Sequence, residues 1–144
     1  MTAESTDIDL FDADVVLHEV HDEVSMTLYS NLLFHVVVPP MMQMDMKLIE
    51  KGIDFIRRAG GDKYFNIFEF SSFSDVTPEV REWASDDSGN SYTLSDAIII
   101  SSLPQKILAD FYLKFNKPVM PTKIFYSRER AAKWTKEQMK KREG

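Results

Sequence analysis

The chain has 144 residues, 44% hydrophobic and 28% charged, with a net charge of −6 and no cysteine. That length suits one domain able to bury its own core, and the apolar fraction excludes a disordered polypeptide. The missing cysteines exclude disulfides and thiolate metal sites.

The charges are segregated. Residues 1–46 hold nine acids and no Lys or Arg, whereas residues 128–142 hold seven bases against two acids. Residues 1–12 are acidic and polar and read as a flexible lead-in, without the basic and apolar regions of a signal peptide. The longest apolar stretch, residues 32–42, is broken by His35 and by Pro39-Pro40. It falls short of the roughly 20 residues that span a bilayer. A cytoplasmic chain with no integral membrane segment is expected. A basic helix can bind nucleic acid, but nucleic-acid domains are usually basic overall and this chain is acidic, so a solvated helix and no nucleic-acid partner are expected.

In chain order, residues 14–20 suit an edge strand, and residues 24–29 alternate apolar and polar as a half-buried strand does. Ser30-Asn31 suits a hairpin turn, Asn tolerating positive φ. Residues 32–38 are nearly continuously apolar, as a central strand is, and Pro39-Pro40 ends it. Residues 43–59 read as a helix closed by Gly60-Gly61, its apolar arc holding Met44, Leu48, Gly52, Phe55 and Ala59, widened by Ile49, Ile53 and Ile56. A strand over 64–70 follows. Thr77 before Pro78 and Glu79 is a helix start, an N-cap hydroxyl with Pro in the first turn, and gives a short helix over 78–85. Residues 86–90 read as a turn. A buried strand over 97–100 leads to a third helix over 103–116, with Leu103, Ile107, Leu108, Phe111 and Phe115 on one face and Gln105, Lys106 and Asp110 on its polar arc. Residues 122–126 form the last strand. Ser127 caps a final helix facing inward through Ala131, Trp134 and Met139.

Alternating strands and helices imply a mostly parallel central sheet begun by an antiparallel hairpin. The expected fold is therefore one α/β domain over 13–144, with a mixed, mostly parallel sheet of four to six strands and about four helices.

This element order resembles the STAS fold of the anti-sigma-factor antagonist (SpoIIAA-like) domains. The second half is similar to a group of uncharacterised bacterial STAS-like proteins through Ala97-Ile98-Ile99-Ile100-Ser101-Ser102-Leu103, Phe111-Tyr112-Leu113-Lys114-Phe115-Asn116-Lys117-Pro118 and Pro121-Thr122-Lys123-Ile124-Phe125. The resemblance implies a SpoIIAA-like fold and a partner-binding surface switched by phosphorylation of a Ser opening the helix after the third strand. The corresponding turn, residues 70–78, offers Ser71, Ser72, Ser74 and Thr77, without the Gly and the Asp-Ser-Ser order of the antagonists.

No catalytic or cofactor-binding pattern is present, so a non-catalytic module is expected. His18 and His21 are three apart on a strand and point to opposite faces, which does not suit a metal site. His35 is expected as a hydrogen-bonded interior residue, and the acids Glu69 and Asp75 lack a nucleophile to work with. Two readings remain. The first is a regulatory interaction module that self-associates, on the wide apolar arc of the first helix. The second is a binder of a small apolar or lipid-like ligand held between the first and third helices. The residues for either surface are Met44, Leu48, Phe55, Phe111, Leu113, Phe115 and Met120, with Trp134 as a further aromatic for the cleft. The methionines at 41, 42, 44 and 46 supply an adaptable apolar surface.

Overall fold

The computed structural model describes residues 9–86 and 91–143. Strands β1 (Val15–His21), β2 (Val24–Tyr29) and β3 (Leu33–Val38) make an antiparallel meander. Two-residue strands β4 (Gln43–Met44) and β6 (Asp75–Val76) pair with each other, and β5 (Tyr64–Phe70), β7 (Thr93–Ile99) and β8 (Thr122–Phe125) extend from β3 in parallel. The main sheet thus runs β1-β2-β3-β5-β7-β8. Helices α1 (Met46–Arg58), α2 (Pro78–Ser85) and α3 (Leu103–Phe111, continued by a π-helical turn Tyr112–Asn116) lie on one face, and α4 (Arg128–Glu143) on the other. The described chain is α/β, with a mixed six-stranded sheet and four helices.

One core cluster joins Val24, Met26 and Leu28 of β2 and Phe34 of β3 to Leu48 and Phe55 of α1. Phe55 is fully buried and stacks on Phe34 with centroids 5.5 Å apart. Burying such a side chain stabilises by about 1.5–3 kcal/mol. The opposite cluster joins Leu33, Ile67, Ala97 and Ile99 to Ala131 and Ala132 of α4. Gly52 of α1 faces Met26, and a Cβ added there would meet the Met26 Cε at 3.8 Å, an ordinary contact. Gly52→Ala is therefore expected to raise stability by about 0.5–1 kcal/mol through helix propensity, read as a higher urea midpoint at unchanged slope.

Several expectations shift for physical reasons. The last residues of the expected lead-in carry structure. A 3₁₀ turn spans Asp9–Asp12, Leu10 is buried, and its carbonyl accepts from Asn31 Nδ2 at 3.0 Å. Asn31 is occupied by that bond and by accepting from Leu33 N (3.2 Å), so Leu32, at φ 72°, takes the left-handed turn conformation instead. Helix α1 starts at Met46, not residue 43, because Asp45 caps it by accepting from Leu48 N (3.2 Å), which leaves Gln43 and Met44 free to pair with β6. Its end is as expected, with Gly60 and Gly61 at φ 125° and 72°.

Strand β7 begins at Thr93, four residues ahead of the apolar run. The largest difference is the roll of α3. Its buried residues are Gln105 and Ala109, followed by Tyr112 in the π turn, while Leu103, Ile107, Phe111 and Phe115 face solvent. The expected turn over 86–90 lies outside the described residues beyond Asp86.

Candidate functional site

Central strands of a parallel sheet are normally covered on both faces. Here Phe68 of β5 and Ile98 of β7 are only half-buried. Helix α2 has eight residues and buries only Val80, which is too little side chain to roof that part of the sheet. The result is an apolar cleft of two adjoining chambers, of about 120 and 80 Å³. Met44, Ile49, Phe68, Trp83, Ala84 and Asp96 line both. Leu108 and Tyr112 of α3 close the larger chamber, and Leu48 and Ile53 of α1 the smaller.

A carboxylate sits on the floor of this apolar space. Asp96 is 8% exposed and accepts a hydrogen bond from Asn66 Nδ2 at 2.8 Å. Burial pushes its carboxyl up to about 6, and the Asn66 bond recovers only part of that cost. Asn66 Nδ2 also lies 3.3 Å from Thr93 Oγ1, so that nitrogen is fully used. Asn66 Oδ1 is buried with no hydrogen-bond partner. Arg81 lines the larger chamber, but its guanidinium donates to Val76 O at 3.0 Å and forms no ion pair with Asp96. Burial also pushes the Tyr112 hydroxyl up, with the Asp96 charge adding to the shift.

The turn expected as a phosphoacceptor is built around Gln105. Its Nε2 donates to Ser71 O (2.9 Å) and Ser74 O (2.8 Å), and its Oε1 accepts from Ser101 N (2.8 Å). Ser74 is buried and donates to Ser71 O, and Thr77 caps α2 by accepting from Val80 N (3.3 Å). Ser71 is half-buried, and Ser72 is exposed. Beside Ser72, Phe73 stands out to solvent at φ 59°, and Met41, whose N donates to Ser72 O, does so at φ 65°. Left-handed conformations are costly for such side chains, and strain of this kind gathers at functional loops.

On the α4 face, His35 is buried with Nε2 3.0 Å from Glu69 Oε1, and Arg128 grips both Glu69 oxygens at 3.0 Å. The His35 bond, with the Arg128 charge beside it, holds the Glu69 carboxyl below the usual carboxylate range against the opposing effect of burial. Phe11 packs on the His35 ring, so this cluster ties the N-terminal turn to the sheet and α4. It faces away from the cleft and does not converge with Asp96. His18 bonds Thr27 Oγ1 and His21 bonds Glu19, each at 2.8 Å.

The residues expected to form a ligand or partner surface do not converge on one place. Met44 and Leu48 do line the cleft. Phe55 is sealed in the core, and Trp134 packs on Phe125 across the sheet, so neither reaches it. Phe111 and Phe115 point outward, while Leu113 and Met120 are half-buried and line neither chamber. Sequence reasoning missed Trp83, Asn66 and Asp96. A usable signal was an acid set directly before the run Ala97-Ile98-Ile99-Ile100, where a strand that continues upstream must bury it.

No helix among the described residues is long and apolar enough to cross a membrane. No curated protein matches the chain, and no solved structure does. Residues 26–139 match the model of a domain of unknown function, DUF7793, and the chain belongs to that family.

Proposed function

We propose that the chain is a non-catalytic, cytoplasmic interaction module of STAS-like fold that pairs with a second copy of itself through the outer face of α3. The observation that carries this reading is the stripe Leu103, Ile107, Phe111 and Phe115, exposed by 70, 61, 46 and 62%. Four large apolar residues at helical spacing form a ridge that a monomer rarely leaves in water. Phe111 and Phe115 lie with centroids 4.6 Å apart, giving the ridge a broad aromatic end.

A second copy fits it. Lys106 and Asp110 pair along the flank of the ridge at 2.7 Å. An antiparallel copy presents the same two charges in reverse order, so each can exchange its partner across a two-fold axis. The resemblance to partner-switching STAS domains supports the same reading, with Ser72 as the phosphoacceptor. A phosphate there would stand beside Phe73, on the turn that Gln105 joins to α3.

Sedimentation velocity from low micromolar to millimolar protein tests this. Wild type is expected to dimerise, and Ile107→Asp to weaken the dimer by roughly a hundredfold, from about 3 kcal/mol lost over two copies. At a concentration where both chains are monomeric, its melting temperature should stay near that of wild type, since Ile107 is exposed. A wild-type chain that stays monomeric at the highest concentration overturns the reading. A Ser72→Glu chain that dimerises as tightly as wild type removes the switch alone.

A further inference from the structure

We propose that the cleft between α1, α2 and α3 is a binding site for a small primary-amine cation with an apolar body, its nitrogen held by the Asp96 carboxylate and Asn66 Oδ1. This site is separate from the α3 ridge and does not depend on the dimer.

The floor of the cleft offers acceptors, and among the described residues no basic side chain pairs with the Asp96 carboxylate. Asn66 Nδ2 is spent on Asp96 and Thr93, and Asn66, 5% exposed, keeps an oxygen without a partner. An unsatisfied buried acceptor costs about 1–3 kcal/mol, and a buried charge without a counter-charge costs more. One ammonium group answers both needs, because it carries a positive charge and three N–H donors. The other charged groups lining the cleft are Asp75, which only adds negative charge, and Arg81, which is turned to Val76 O.

The walls select the rest of the ligand. Phe68, Trp83 and Tyr112 present aromatic rings beside the acids, a setting that favours organic cations. The chambers of about 120 and 80 Å³ are of the order that holds one benzene-sized body, for which about 150 Å³ suffices. A carboxylate or phosphate ligand would be repelled by Asp96. A hydrocarbon would leave Asn66 Oδ1 and the charge unanswered, and an alcohol would satisfy the oxygen but not the charge. Because burial pushes the Asp96 carboxyl up to about 6, the site gains its charge on passing from mildly acidic to neutral conditions. Asn66, Thr93, Trp83, Tyr112, Asp75 and Arg81 are the groups that surround it there.

Titrating the 144-residue chain with benzylamine, benzyl alcohol and benzoate, followed by amide chemical shifts in NMR, tests the proposal. Benzylamine is expected to bind at least about tenfold more tightly than benzyl alcohol. Its shifts should centre on Asn66, Trp83 and Asp96, and benzoate should produce none. Asp96→Asn keeps an acceptor for Asn66 Nδ2 and removes the charge; it should fold and should erase the preference for the amine. Lowering the pH from 8 to 5 should weaken benzylamine for wild type and leave the variant unchanged. An amine that binds no better than the alcohol, shifts that centre elsewhere, or a folded Asp96→Asn chain that keeps the amine preference would each overturn it.

Discussion

Asp96→Asn is expected to make the protein more stable at neutral pH, by about 3 kcal/mol. Asp96 titrates near 6 in the folded chain, against about 4 for an unfolded Asp, and each unit is worth 1.36 kcal/mol. The sign follows from proton counts. Between pH 4 and 6 the folded state holds a proton that the unfolded state has released, so stability falls as pH rises through that window. Below about 4 both states are protonated and the residue is silent; above about 6 the full deficit is present. Urea unfolding of the two chains should therefore nearly coincide near pH 4, separate as pH rises to between 6 and 7, and keep a constant difference from there to pH 8. A difference that does not vary with pH would mean that Asp96 titrates as it does in water. A residue that weakens its own fold at working pH is what a binding site, rather than a scaffold, would retain.

The second large effect is at Gln105. Truncation to Ala removes two donated bonds and the bonds that Oε1 accepts from Ser101 N and Oγ, and leaves the Ser74 carbonyl and the Ser101 amide without these partners, while Ser71 O keeps those it has from Ser74 N and Oγ. The expected cost is about 2 kcal/mol, the lower end of what two unmatched groups imply. Gln105→Glu is a sharper test. It keeps the acceptor for Ser101 N but sets carboxylate oxygen against the two carbonyls that Nε2 now serves. It should be at least as destabilised as the Ala chain at pH 7 and should recover as the acid is protonated. Hydrogen exchange at Ser74 N, which donates to Ser71 O at 3.0 Å, should accelerate in both. Protection there equal to wild type would show that the turn holds itself.

These two residues also mark where the sequence was readable and where it was not. Local chemistry was legible. Thr77-Pro78-Glu79 starts α2, Gly60 and Gly61 end α1, and the alternation in β2 buries Val24, Met26 and Leu28. The roll of α3 was not, because hydrophobic pattern alone turns Leu103 and Ile107 inward. What decides it is the bonding of one amide to a turn some thirty residues earlier, a contact with no local signature. The cleft was hidden for a similar reason. Thr93, Ser95 and Asp96 disguise the first half of β7 as a loop, and the gap above Phe68 exists only because α2 is short. A ligand cleft was expected between the first and third helices; those two helices and α2 line the cleft that is present, largely with side chains other than the expected ones.

The π-helical turn of α3 has a consequence for the ridge as a line in space. In an α-helix, residues four apart overshoot a full turn by about 40° at each step, so a four-residue spacing winds slowly around the cylinder. Exposure falls from Leu103 through Ile107 to Phe111, as that winding carries the ridge toward the sheet, and rises again at Phe115. Between Phe111 and Phe115 the chain closes on the fifth residue instead of the fourth, with Lys117 N reaching Tyr112 O at 3.3 Å. The wider turn takes back the slippage and returns Phe115 to the alignment of the ridge. At ordinary α pitch the same residues would carry Phe115 about 40° past Phe111, toward the sheet. The pitch of this turn therefore constrains the outer surface as tightly as the identity of its residues does.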